Sequence, residues 1–142
     1  KNTNLLDLGA HPGGWSQVSS NIIISGKILS VDLAKIEKIK NVNFFQCDFL
    51  NNESQKQIID FFEKKLDVIV SDMAADTTGN KDLDCIRTNA ICAEVIEFSS
   101  SVIKDSGVVI SKLFNGQDFL HVKNLAKSKF HRVNFFKPEN CQ

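Results

Sequence analysis

Four polar side chains in this chain stand where apolar runs stop. Asp32 follows Lys27-Ile-Leu-Ser-Val31, Asp48 follows Val42-Asn-Phe-Phe-Gln46, Asp72 follows Leu66-Asp-Val-Ile-Val-Ser71, and Lys112 interrupts Val108-Val-Ile-Ser-Lys-Leu113. Each run reads as a strand, and open α/β sheets bind ligands outside the carboxyl ends of their strands. Strand-end aspartates also cap helices and satisfy turns, so each taken singly has a plain structural explanation. Four on one rim are harder to explain that way. Asp32 lies eighteen residues past Gly14, where a carboxylate can accept two hydrogen bonds from a ribose diol. Asp48, one strand further out, can accept from an exocyclic amine, with Phe49 or Leu33 against the ring. Asp72 lies near the ligand's reactive end if its strand neighbours the first. Lys112 calls for a carboxylate or a ligand as partner; the alternative is a lysine snorkelling from a strand end.

The stretch Asn4-Leu-Leu-Asp-Leu-Gly-Ala-His-Pro-Gly-Gly-Trp-Ser-Gln-Val18 must position that ligand. It passes from a buried strand, through a turn holding Gly9, Pro12, Gly13 and Gly14, into a helix. That order presents bare backbone N–H groups and a helix N-terminus. A simple βα connection would account for the glycines, but not for Asp7, which costs stability inside an apolar strand unless a partner satisfies it. A dinucleotide fingerprint needs Gly-x-Gly-x-x-Gly, and here His11 stands where the middle glycine belongs. The loop suits a nucleoside ligand without a pyrophosphate. That disfavours NAD and favours S-adenosylmethionine (SAM).

Strand and helix alternate along the chain, which predicts an α/β, Rossmann-like fold: a mostly parallel sheet with helices on both faces. The expected strands are 5–8, 27–31, 42–46, 66–71, 108–113 and 132–136. Helices are expected over 15–23, 52–65, 86–104 and 117–129, with a short helical connection at 34–39. Asp105-Ser-Gly107 should close the third long helix, Gly107 serving as its αL cap. The polar stretch 74–84 reads as a lid or a plain surface loop.

At 142 residues the chain fits one domain, 1–142, large enough to bury a core. No run reaches the length of a membrane span, and no charged-then-apolar leader opens it. Cys47, Cys85, Cys92 and Cys141 form no Cys-x-x-Cys pair and the histidines are scattered, so no metal site is expected. Reduced cysteines packing as small hydrophobes point to the cytoplasm. From Ser106 onward six basic residues stand against two acids, as on a solvated helix face or a side turned to nucleic acid. With no initiator Met, the chain reads as cut at its ends.

In order along the chain, Leu6-Asp-Leu-Gly-Ala-His-Pro-Gly-Gly-Trp-Ser-Gln17, Val31-Asp-Leu33, Phe45-Gln-Cys-Asp-Phe49, Val70-Ser-Asp-Met-Ala74 and Ser111-Lys-Leu-Phe-Asn-Gly116 resemble the motifs of the FtsJ/RrmJ ribose 2′-O-methyltransferases. The bacterial branch acting on large-subunit ribosomal RNA is the most similar. Gly-Gly-Trp and Ser-Asp-Met-Ala are fairly specific, whereas Asp-Leu-Gly is shared by many SAM enzymes. The resemblance implies a SAM-dependent methyltransferase fold, with SAM contacts from Gly13, Trp15, Asp32, Asp48 and Asp72. It also implies that Asp72 and Lys112 belong to a catalytic Lys-Asp-Lys-Glu tetrad, whose other members fall before Lys1 and after Gln142. A final antiparallel strand, inserted between the fifth and sixth, would be missing too. His11 departs from the alanine usual in the bacterial family. The implied substrate is a ribose 2′-hydroxyl of RNA, a uridine of 23S-type rRNA in the large ribosomal subunit, methylated by a monomer away from any membrane.

Methyl transfer from a sulfonium is downhill, so catalysis is largely alignment, but the hydroxyl must lose a proton. Only a neutral amine is a base, and a nearby Asp72 favours the charged form. Lys112 is therefore expected to orient the hydroxyl and accept its proton late, with Asp72 holding it in place. Other classes stay open: a nucleotide or NAD enzyme, a 2′-O-methyltransferase for tRNA or an mRNA cap, and a catalytically silent SAM- or RNA-binding module.

Overall fold

A strand buried on both faces is written as a near-continuous apolar run, and the centre of the sheet is built from three such runs, with Asp7, Ser30 and Asp67 as their interior polar residues. In the computed structural model, which describes residues 2–11, 13–23 and 25–137, β1 (Leu5–Leu8) is buried at every position. It lies between β2 (Ile28–Asp32) and β4 (Leu66–Ser71), parallel to both. β3 (Asn43–Gln46) and β5 (Ile103–Ser111) complete a five-stranded parallel sheet of order β3-β2-β1-β4-β5. The winding reverses between β1 and β4, the kind of switch point at which open sheets take ligands.

Three helices connect strands, α1 (Gly14–Ile22), α2 (Asn52–Phe62) and α3 (Lys81–Val102), and α4 (Phe119–Lys129) follows β5. Side chains alternate across a strand, which divides the core in two. Leu6, Leu8, Leu29, Val31 and Ile69 meet Ile58 and Phe62 of α2 and Val95 and Phe98 of α3 on one face. Leu5, Ile28 and Val70 gather with Ile23, just past α1, on the other. Cys92 and Ile96 turn α3 toward Val122 and Ala126 of α4. Asn51 and Asn80 cap α2 and α3, their side chains accepting from Glu53 N and Leu83 N. The α/β fold with helices on both faces is as expected.

α3 starts at Lys81, inside the stretch 74–84 expected to be loop, because Asn80 caps it there; three other local expectations also fail, each for a physical reason. The stretch 34–39 forms no helix. Helix nucleation is costly, and a single buried anchor, Ile36, does not offset it. Nor does α3 end at a glycine cap: it stops at Val102 and the chain enters β5 at once. One residue separates Leu66 from Val68, but four separate their partners Ile103 and Val108, so Asp105-Ser-Gly107 form an irregularity inside the strand. Gly107 is required there because a Cβ would meet Ile103 Cγ1 at 2.5 Å. Finally, 132–136 is not a strand. A strand backbone needs a neighbour to satisfy it, and among the described residues the β5 ladder runs to β4 alone. Lys1, Pro12, Pro138, Glu139 and Cys141 lie outside the described residues.

Candidate functional site

Parallel register lines up the rim. Leu8 pairs with Val31 and with Ser71, and Ser71 pairs with Ser111. The residues that follow these four are Gly9, Asp32, Asp72 and Lys112, which therefore stand side by side at the carboxyl ends. Backbone bonds extend the row: Gly9 N donates to Val31 O at 2.9 Å, Asp72 N to Leu8 O at 3.1 Å and Lys112 N to Ser71 O at 3.0 Å. Asp48 lies two residues past the end of β3, at the margin of the same rim.

The glycine turn earns its composition at two places. Gly9 has φ +72, and a Cβ there would meet Met73 Cγ at 2.8 Å, so only glycine lets the exits of β1 and β4 approach this closely. Gly13, at φ +120, is the N-cap of α1 and supplies no side-chain cap, and the first turn holds no acid. The N–H groups at this helix start are left without side-chain partners of the usual capping kind. A Cβ on Gly14 would meet nothing within 4 Å, and Trp15 beside it is 53% exposed. Backbone here is open to a ligand.

Asp32 is aimed in advance. Its Oδ2 accepts from His11 N at 2.8 Å and its Oδ1 from Ala34 N at 2.9 Å. Each carboxylate oxygen keeps a second lone pair, so two further donors can still be met. His11 thus serves the loop through its backbone N–H. Asp48 is occupied by a turn, its Oδ1 accepting from Leu50 N at 3.0 Å and its carbonyl from Asn51 N at 3.1 Å. Of the two candidate ring contacts, Leu33 is exposed, whereas Phe49 is buried edge-on against Phe98. Only Leu33 remains available.

Asp7 lies beneath this rim and is buried. Ser16 Oγ, from the first turn of α1, donates to Asp7 Oδ2 at 2.6 Å. Ser30 Oγ then donates to Ser16 Oγ, whose own proton is already committed. Asp7 Oδ1 has no hydrogen-bond partner among the described residues. Burial raises the Asp7 carboxyl from 3.8 to about 6, against the lowering by Ser16 and with help from the charges of Asp72 and Asp32. Sequence reasoning singles out Asp7 but misses Ser16 and Ser30. The signal was present: Ser30 interrupts an apolar strand directly opposite Asp7 in register.

The remaining pair is loosely held. Lys112 Nζ lies 3.9 Å from Asp72 Oδ1, with the side chains 37% and 58% exposed, and 5.2 Å from the centroid of the Phe114 ring. Both groups have hydrogen-bonding capacity to spare. The loop after Asp72 is pinned further on, where Thr78 N and Oγ1 donate to Asp84 Oδ1 at 2.9 and 2.7 Å. These bonds hold the Asp84 carboxyl below its ordinary range. On α4, Lys123 Nζ sits 5.6 Å from the Phe135 ring centroid and Lys129 Nζ lies 3.6 Å from Glu97 Oε2. Cys47, Cys85 and Cys92 are free thiols. Among the described residues no group of three or more His, Cys, Asp or Glu could hold a metal ion. No helix described is long and apolar enough to cross a membrane.

The model of the FtsJ-like methyltransferase family matches residues 1–142. The ribosomal RNA large subunit methyltransferase E of Rickettsia felis is 42% identical over 147 residues, covering 99% of this chain and 65% of the relative. The protein of the same name from Pelagibacter ubique is 42% identical over 139 residues, covering 98% of this chain and 68% of the relative. A solved structure described as a ribosomal RNA methyltransferase from Plasmodium falciparum superposes with a TM-score of 0.86 at 28% identity, covering 98% of this chain and 81% of the other. The chain thus spans about two thirds of the length of these curated relatives.

Proposed function

We infer that this chain, which belongs to the FtsJ-like methyltransferase family over its whole length, is the SAM-binding domain of an enzyme that methylates a ribose 2′-hydroxyl of RNA. The substrate we favour is a uridine of 23S-type rRNA in the large ribosomal subunit, met in the cytoplasm by a monomer. One observation carries the reading. A preset carboxylate, a glycine turn and an amine–carboxylate pair occupy a single row across the switch point.

The residues present fit the cofactor. Asp32 keeps a free lone pair on each oxygen for a ribose diol. Gly13 and Gly14 leave the start of α1 open, with Trp15 beside it. Asp48 can accept from the exocyclic amine, with Leu33 on the ring, and Asp72 reaches the reactive end. When bound, SAM supplies a methyl group already activated on a sulfonium, so the chain's share of the chemistry is alignment and the handling of one proton. Lys112 holds the hydroxyl oxygen in line. In its neutral form it accepts the proton once the oxygen, forming its new bond, has become acidic. Asp72 keeps the amine on that line.

The basic run from Lys112 to Lys137 supports an RNA-facing side, and the relatives are named for ribosomal RNA. Incubating the whole protein with labelled SAM and a mixture of large ribosomal subunits, tRNA and capped mRNA tests the reading. The expected product is a single ribose-methylated uridine, recognised by resistance of its 3′ phosphodiester to alkali. Label confined to tRNA or a cap, or carried on a base, would overturn it.

A further inference from the structure

Three polar side chains of α3 are buried, Thr88, Asn89 and Ser99, and the first two reach out of the helix to loops. Thr88 is 1% and Asn89 0% exposed, and neither belongs to the rim. Thr88 Oγ1 accepts from Ala75 N at 3.0 Å, three residues past Asp72. Asn89 closes on Phe114, two residues past Lys112. Its Oδ1 accepts from Phe114 N at 2.8 Å, and its Nδ2 donates to Phe114 O and to Asp118 Oδ1, both at 2.9 Å. One turn along the helix, Cys92 Sγ accepts from Ser111 Oγ at 3.3 Å. Residues 72–78 and 112–115 have no regular secondary structure, so a side-chain amide stands in for the ladder that Phe114 lacks. A carboxamide suits this place because it offers the donor and the acceptor of a peptide group together.

We propose that Thr88 and Asn89 are positioning residues which, by tying the loops after β4 and β5 to one helix, set the separation of Asp72 and Lys112. The proposal rests on those two residues being the reacting pair. Their own contact, 3.9 Å between partly exposed groups, is too weak to hold a geometry by itself. Their backbones are fixed by Asp72 N and Lys112 N at the strand ends, and the first hydrogen bonds from the two loops to α3 are made at Ala75 and Phe114. Clamping Phe114 on both its N–H and its carbonyl also places the ring that faces the Lys112 amine.

The test separates positioning from mere support of the fold. In the whole protein, Asn89→Ala is compared alone and on a Lys112→Ala background for kcat, KM for RNA, SAM Kd and thermal unfolding. We expect Asn89→Ala to lower kcat about tenfold or more, since small misplacements of a reacting group are costly, with SAM Kd held within about twofold. On the Lys112→Ala background the same substitution should lower the residual single-turnover rate no further, because contacts acting through one group are not additive. Thr88→Val should lower kcat, and Thr88→Ser, which keeps the hydroxyl, should restore it. Should Asn89→Ala fail to fold, the Thr88 pair decides. An equal loss with and without Lys112, unchanged kcat in both single variants, or Thr88→Ser as poor as Thr88→Val would overturn the proposal. Full turnover by Lys112→Ala alone would instead overturn the assignment of the reacting pair, and the proposal with it.

Discussion

The two sides of the β1–β4 switch point are built in opposite ways. On the β1–β2 side, polar groups are committed before any ligand arrives. Asp32 holds His11 N and Ala34 N, and Asp7, Ser16 and Ser30 form a buried chain of hydrogen bonds. On the β4–β5 side, Asp72 and Lys112 stand apart, partly exposed, and are located through their backbones. An acceptor already aimed loses little freedom when a ligand binds, which suits recognition. An amine that must meet a hydroxyl and then take its proton cannot already be saturated by carboxylates. The difference teaches that one rim can divide its labour, rigid where it binds and uncommitted where it reacts.

The largest effect that would sharpen this contrast is on turnover. Lys112→Ala should lower single-turnover methyl transfer by about a hundredfold or more, the usual scale for losing a proton-handling group, while SAM affinity stays unchanged. A variant that lost both would erase the division. Asp32→Ala should show the reverse. Removing a charged acceptor shared by two ligand hydroxyls is worth about 1.5–3 kcal/mol, a roughly ten- to hundredfold rise in SAM Kd, with kcat at saturating SAM changed little. Steady-state kinetics at high SAM would expose any loss of chemistry.

The smallest effect concerns the buried chain beneath the rim. The Asp7 carboxyl lies at about 6 in the folded protein against an ordinary 3.8, so the folded state holds that proton more tightly than the unfolded one. Stability from this group is fully present below the lower value and is lost as pH rises toward the higher one. Asp7→Asn, neutral throughout, lacks that loss. Relative to the wild type it should gain about 2 kcal/mol between roughly pH 4 and pH 7, read from urea unfolding at both. A difference independent of pH would mean that Asp7 does not titrate as its burial requires.

Much of this rim is legible in the sequence because strands buried on both faces leave mostly apolar runs with few polar interruptions. β4 is read residue for residue as Leu66–Ser71, between Lys65 and Asp72, and the polar residues that end such runs mark the site. What escapes sequence reading depends on partners distant in the chain. The irregular pairing at Gly107 is set by the register of β4, and the fate of 132–136 by whether a strand lies beside it. Asn89 is a similar case. Its partner is 25 residues away, and nothing local in a helix tells which loop a buried amide will meet. Asp48 is a half-legible residue, since its place is foreseeable while its turn bonding emerges only in three dimensions.

The most direct test of the central claim is one calorimetric series: SAM titrated into the wild type, Asp32→Ala and Lys112→Ala under identical conditions. The account predicts that the wild type and Lys112→Ala bind alike and that Asp32→Ala binds far more weakly. A folded wild type that does not bind SAM, or equal loss of affinity in both variants, would contradict it.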